Sequence, residues 1–482
     1  MTKEMKDGKL YAQDTKKGEH MFDHLVFFTL PLSMQLIQEC IGLAWSLMAV
    51  WFPAKPVDQD KERCVTASGY PTRKPECPAC QRDSTAMPTP EMPPVIENHY
   101  GRPKHVDTSN HYCPETDCSY YGWLGLNNIV SNGHPNDGIW RQLQCVVCGK
   151  YFMETTGTIF YGSRTPPETI WMALSAMAEG LSIRSTARVF DVDKDVVQSW
   201  LKQASEHMET VSQYLFHNLN LTQVQVDELW ALMGRRQKKH KRNSRWVWAA
   251  LDPVNKLFLA FVVGDRSLDT AQLLIHDVVQ VLAPGCVPLF TSDQWAPYAV
   301  ALLTHYGYWR KTPRRHKYGR PPKPRWKPLP ILHYAQVVKR RINGRVVDVS
   351  HRLVYGSLAM AKGILSQTGT TINTAFIERL NLSIRQHVSA LGRKVVSLAK
   401  TQPGLTAQVS LYQAYHNLCL PNSSLRLPLP EAQPTKKGGS PRKWQQRTPA
   451  MAAAVTDHIW RMEDLLLFRA PPWQQAVKVR TC

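Results

Sequence analysis

Three carboxylates stand where they could do chemistry. Asp227 lies in a strand-like run (Leu221, Val224 and Val226 among polar residues), Asp293 closes the short apolar run Val287 to Ser292, and Glu378 sits on a late helical pattern. Hard oxygen donors of this kind suit Mg2+ (or Mn2+), which binds through few carboxylates and completes its shell with substrate phosphate. A pair of such ions about 4 Å apart activates a water or a 3′-hydroxyl and steadies the leaving oxygen. Arg385 follows Glu378 by two helical turns, within about 20° of the same face, and there it would clamp a phosphate. Spacing alone does not single out this set, because Glu228, Asp252, Asp265 and Asp269 are nearby competitors.

The cysteines suggest a second chemistry. Cys113-x4-Cys118 and Cys145-x2-Cys148 are two thiolate hairpins separated by 26 residues, which together complete the closed four-sulfur geometry of structural zinc. Gly149 supplies the tight turn after the last pair. Cys77-Pro-Ala-Cys80 is a further knuckle that could join Cys64 or one of His99, His105 and His111. Close pairs in a chain with no clear signal peptide read as metal ligands in a reducing compartment, not as a secreted disulfide framework.

Around these residues the chain is α/β in pattern. Thr165-Pro-Pro-Glu168 reads as a capping box that opens a helix ending at Gly180. Ser182 caps a second helix (Ile183, Ala187 and Phe190 inward), and Asp193 caps a third with Val196, Val197, Trp200 and Leu201 inward. Lys194, Gln198 and Lys202 then point outward, as a recognition helix requires. Strands follow at Leu221 to Met233, Trp246 to Leu251 and Leu257 to Val263, the last two joined at Asp252-Pro253; Ser267 to Leu282 is helical. Asn373-Thr374 caps the late helix, whose inward stripe is Ile377, Leu380, Ile384 and Val388.

Charge gives the partner. With 59 Lys+Arg against 38 Asp+Glu in 482 residues, the formal net charge is +21, while 43% hydrophobic residues exclude a solvated tail or linker array. Arg235 to Arg245 holds seven basic residues in eleven, among them Arg235, Arg236, Lys238 and Lys239. Trp309 to Val347 holds 13 and no acid, with Arg314 and Arg315 amid Trp309, Tyr318 and Trp326. Such one-sign runs flanking an acid cage are expected to contact nucleic-acid phosphates.

The expected layout begins with a hydrophobic extension (1–60). Its Leu25 to Phe52 stretch follows five lysines, but Pro31, Gln35, Gln38 and Glu39 argue against a membrane span. A linker with one knuckle (61–112), a zinc ribbon (113–152) and a helix-turn-helix (165–207) precede a catalytic domain (221–420) with a basic insert (309–347). A basic tail (428–482) closes the chain.

Gln225-Val-Asp-Glu-Leu-Trp230, Trp246-Val-Trp248, Gly264-Asp-Arg-Ser267, Thr291-Ser-Asp-Gln-Trp295 and Asn373-Thr-Ala-Phe-Ile-Glu-Arg-Leu-Asn381 together resemble, in that order, transposases of the IS-one family of bacterial insertion sequences. The resemblance runs from about Cys113 to about Leu420. It implies an RNase H-like catalytic fold and the acid triad of the D-D-E transposases. Asp227 and Asp293 become the strand-borne ligands, Glu378 the helix-borne one, and Arg385 the basic partner. The implied activity is metal-dependent cleavage at terminal inverted repeats followed by strand transfer into target DNA, with a homo-oligomer assembled on the DNA, in the bacterial cytoplasm at the nucleoid. A zinc-ribbon/helix-turn-helix regulator, or an RNase H-like nuclease without strand transfer, is the alternative. The chain departs from the family's archetypes in joining both parts in one frame, in its N-terminus and Cys77/Cys80 knuckle, and in the 84 residues between Asp293 and Glu378.

Overall fold

The computed structural model describes residues 73–80, 90–97, 106–234, 244–311, 322–343, 345–393, 395, 397–434 and 439–475, all within one unit, Arg63–Cys482. The first elements are β1 (Ile129–Ser131), β2 (Gln142–Cys145) and β3 (Tyr151–Met153), an antiparallel sheet in that order. Its core is small: Tyr120, Trp123, Leu126, Ile129, Leu143 and Phe152 around the buried Cys113, Cys118 and Cys145.

Three helices follow, α1 (Pro167–Ala178), α2 (Ile183–Val189) and α3 (Lys194–Leu215). Thr165 does not cap α1. Pro166 takes the N-cap position without a side-chain bond, since a residue preceding proline is driven out of the helical region. Gly180 does end the helix, at φ +104, and a Cβ there would come within 2.8 Å of the Gln386 carbonyl. Ser182 and Asp193 cap as expected, accepting from the backbone N–H of Ser185 and of Asp195. Val196, expected inward, is 39% exposed. The buried stripe of α3 is Val197, Trp200, Leu201, Ala204, Met208 and Val211, and Val196 lies about 100° off it. The helix also runs about two turns past the expected end near His207.

The main sheet is built by β4 (Gln223–Leu232), β5 (Ser244–Asp252), β6 (Leu257–Gly264), then, after α4 (Leu268–Val281), β7 (Leu289–Asp293). Next come α5 (Pro297–His305), a side hairpin of β8 (Gly307–Arg310) and β9 (Arg325–Pro328), and the paired strands β10 (Tyr334–Ile342) and β11 (Arg345–Tyr355). Six strands join in the order β11-β10-β7-β4-β5-β6; β4, β7 and β10 run parallel and the others antiparallel. The expected basic insert (309–347) therefore contributes strands of its own. Its second half is a core strand, because Tyr334, Ala335 and Val337 are apolar enough to be buried beside β7.

Helices α6 (Leu358–Gln367), α7 (Ala375–His387) and α8 (Gln402–Ala414) complete the sheet's surroundings. Side chains alternate across a strand, so Val224 and Val226 of β4 join Ala271, Leu274 and Tyr298 of α4 and α5 on one side. Leu229 and Ala231 join Ile377, Leu380, Ile384 and Val388 on the other. The expected tail is only partly a tail. After β12 (Leu427–Gln433) and β13 (Arg442–Gln445), the chain forms α9 (Pro449–Ala452) and α10 (Met462–Leu467). Trp460, Leu465 and Leu466 are buried in the larger core, and Trp473 packs on Tyr121 and Trp123 of the cysteine module. Among the described residues no helix is long and apolar enough to cross a membrane; Leu25 to Phe52 lies outside them.

Candidate active site

Strand register brings the acids together. β4 pairs in parallel with β7 up to Val226↔Ser292, so Asp227 and Asp293 fall on the next rung, on strands about 4.8 Å apart. Both side chains take the parity that faces α6 and α7. β10 pairs Val337 with Asp293 and continues beyond the end of β7. Lys339, two residues on and on the same face as Ala335 and Val337, therefore overhangs the acids.

The late helix is pinned to β4 by Gln225, which is 1% exposed. Its Nε2 donates to the Asn373 carbonyl at 2.9 Å, and its Oε1 accepts from the Ile377 N–H at 3.0 Å. A first-turn donor with no partner inside the helix is thus satisfied from the strand, and Glu378 is delivered to the acid pair. Lys339 Nζ lies 3.3 Å from Asp293 Oδ1 and donates to Glu378 Oε1. Thr374 Oγ1 stands 3.2 Å from both carboxylates. One turn along α7, Asn381 Nδ2 donates to Asp227 Oδ2 at 2.8 Å, while its own Oδ1 is buried without a partner.

Burial pushes the Asp227 carboxyl up to about 7, the Asp293 charge adds to that, and Glu228 and Glu378 contribute less. Burial alone would lower Lys339, but its hydrogen bond to Glu378 and the Asp293 charge outweigh that and hold the ammonium above its usual value. The cluster is short of positive charge, and its free oxygens are hard donors suited to a divalent cation.

The competing acids have other partners. Glu228 points to the opposite face, where Arg266 binds it and the Tyr298 hydroxyl donates to it at 3.1 Å. Asp252 is taken up in its turn by the Val254 and Asn255 N–H groups, Asp265 by Arg245, and Asp269 lies in the first turn of α4. Arg385 does not reach the acids. Seven residues along a helix is about 10 Å of rise, and its guanidinium donates to the Leu391 carbonyl at 3.1 Å and the Trp230 carbonyl at 3.4 Å. Seven-residue spacing puts Arg385 on the face of Glu378 but not in the same site.

Of the expected DNA contacts, Lys194, Gln198 and Lys202 are exposed on α3, Lys194 paired with Asp195 and Lys202 with Glu206. Arg235, Arg236, Lys238, Lys239, Arg314 and Arg315 lie outside the described residues. Cys113, Cys118, Cys145 and Cys148 do converge: their sulfurs lie within 4.8 Å of one another, with Cys113 and Cys148 at 3.6 Å and Cys118 and Cys145 at 4.0 Å. About 3.8 Å separates sulfurs bound tetrahedrally to one zinc. Three site residues are not singled out by the sequence: Lys339 is one charge in a basic run, and Gln225 and Asn381 are positions within motifs. Alternation along β10, and the i+3 spacing of Glu378 and Asn381, were the available signals.

Comparison with known proteins agrees with this geometry. Residues 220–311 match the IS1 transposase family. The insertion element IS1 4 protein InsB of Escherichia coli (strain K12) is 22% identical over 177 residues, 37% of this chain and 65% of the relative's length. The insertion element IS1 protein InsB of Shigella sonnei is 22% identical over 177 residues, 37% of this chain and 82% of its own. Among solved structures, the Mos1 strand transfer complex aligns at 11% identity over 28% of this chain and 54% of that one, with a TM-score of 0.12. That likeness is too slight to bear on function. Over the strands that carry Asp227 and Asp293, the chain is similar to the transposases of the IS1 insertion elements, and the resemblance read from its sequence is borne out.

Proposed function

We propose that the chain is a D-D-E transposase, which cuts DNA at the terminal inverted repeats of an insertion sequence and joins the ends to target DNA. The observation that carries this reading is the convergence of Asp227, Asp293 and Glu378, from two parallel strands and one helix, on one face of the sheet. The strand order, a three-strand antiparallel edge continued by parallel β7 and β10, supports an RNase H-like fold for the region.

Asp227, Asp293 and Glu378 would hold Mg2+ or Mn2+, with the unpartnered Asn381 Oδ1 as a further oxygen beside them. When bound, such ions lower the pKa of an attacking hydroxyl and neutralise charge on the leaving oxygen. Lys339 holds the carboxylates together in their absence and is placed to meet a phosphate once they are engaged. Gln225 and Thr374 fix the helix that brings Glu378.

The cysteine module would be a zinc ribbon and α1–α3 a helix-turn-helix, α3 offering Lys194, Gln198 and Lys202 to a major groove. The ion pairs of Lys194 and Lys202 are exposed and worth under about 1 kcal/mol, so phosphates can replace them. A homo-oligomer on DNA, in the bacterial cytoplasm at the nucleoid, completes the proposal. Transposition in cells from the gene's native flanks tests it. Insertions from the wild type and none from Asp293→Ala, with end binding kept within about twofold, are expected. Cut ends that are never joined would instead indicate a nuclease.

A further inference from the structure

Cys77 and Cys80 meet two histidines from the main sheet's outer helices. His276 lies on α4 and His305 is the last residue of α5, their rings 5.6 Å apart. One ligand atom from each of Cys77, Cys80, His276 and His305 lies within 4.8 Å of the other three. The Cys80 sulfur is 3.6 Å from His276 Nδ1, and about 3.6 Å is the tetrahedral edge expected from Zn–S and Zn–N bonds of about 2.3 and 2.05 Å. Of the partners that the sequence offers, His111 is not in the cluster, while His99, His105 and Cys64 lie outside the described residues.

We propose that these four residues form a structural zinc site that staples segment 73–80 to helices α4 and α5.

The donor set suits a half-buried site: Cys77 is 3% and His276 7% exposed, His305 is half-buried and Cys80 is exposed at the rim. Two thiolates cancel the charge of one Zn2+, so the loaded site is neutral overall, which suits the buried donors. His305 Nε2 is buried with no hydrogen-bond partner, a polar atom whose cost a metal would remove. His276 Nε2 lies 3.3 Å from the Gln280 side-chain amide. With that amide turned so that Oε1 accepts the Nε2 proton, Nδ1 is left as the metal donor, the usual outer support of a zinc-bound imidazole. The segment has a second anchor, the Lys74 ammonium 5.6 Å from the Trp326 ring centre.

The site is separate from the acid cluster and does not depend on the DNA chemistry. Elemental analysis of the full chain, grown in zinc-supplemented medium and purified under reducing conditions, tests it. Cys77→Ser with Cys80→Ser, and separately His305→Leu, should each lower zinc by one per chain, while Cys145→Ser with Cys148→Ser removes a different one. His305→Cys should keep the wild-type zinc content, which guards against loss through misfolding. Zinc content unmoved by both His305→Leu and the Cys77/Cys80 pair would overturn the proposal, as would zinc lost from His305→Leu and His305→Cys alike.

Discussion

Lys339 stands between Asp293 and Glu378, 3.3 Å from the first and hydrogen-bonded to the second. A strand residue 46 positions after Asp293 thus supplies the cation that lets two acids share a space with Asp227. Its removal separates two effects. Without metal, Lys339→Met should cost about 1–3 kcal/mol of stability at pH 8, because the carboxylates lose their compensating charge. The same variant should bind Mn2+ about tenfold more tightly, since a competing cation is gone. Isothermal titration with Mn2+ reads the affinity and thermal melting in EDTA reads the stability; weaker Mn2+ binding would contradict the role.

Asp227 sets a pH dependence. Its folded pKa of about 7 lies above the ordinary carboxyl value, roughly 3.9 when unfolded. Between about pH 4 and pH 7 the folded protein holds more protons than the unfolded chain, so stability falls as pH rises through that window. In EDTA, Asp227→Asn is therefore expected to melt higher than wild type at pH 8, by an equivalent of up to about 4 kcal/mol, with the gap closing near pH 4. A melting difference independent of pH would remove the carboxyl's burial as its cause.

Arg385 is expected to act on the fold. One charged hydrogen bond, to the Trp230 carbonyl, ties the end of α7 to β4, and a second, to the Leu391 carbonyl, holds the turn after the helix, so Arg385→Ala should lose about 1.5–3 kcal/mol in urea unfolding. Cleavage per folded molecule should change less than about threefold. An unchanged midpoint with cleavage abolished would return Arg385 to the phosphate-clamping role suggested by its spacing.

Lys194 and Gln198 face solvent on α3. Replacing either by alanine should weaken binding to the element's own ends by about 1–3 kcal/mol and leave affinity for scrambled DNA nearly unchanged. Gel-shift titrations at one fixed salt concentration compare the two. Equal losses on both sequences would make them phosphate contacts only.

Local features were legible from the residues themselves. The caps at Ser182 and Asp193, the strand around Asp227, the run ending at Asp293, the stripe Ile377–Leu380–Ile384–Val388 and the cysteine hairpins all depend on neighbours a few positions apart. Periods of 2 and 3.6 and cap chemistry are properties of that short range. What the sequence by itself determined was therefore which residues can do chemistry and which element carries each. The four cysteines and, through the family resemblance, the three acids were also expected to meet; tertiary structure alone decided the remaining partners. The parallel register of β4, β7 and β10 set Lys339 over Asp293, Gln225 drew α7 onto β4, and Asn381 was left against Asp227. Helices α4 and α5 brought His276 and His305 to Cys77 and Cys80, and two turns of helix rise kept Arg385 away. These pairings join residues tens to hundreds of positions apart, and strand order, not any local pattern, brings them within bonding distance.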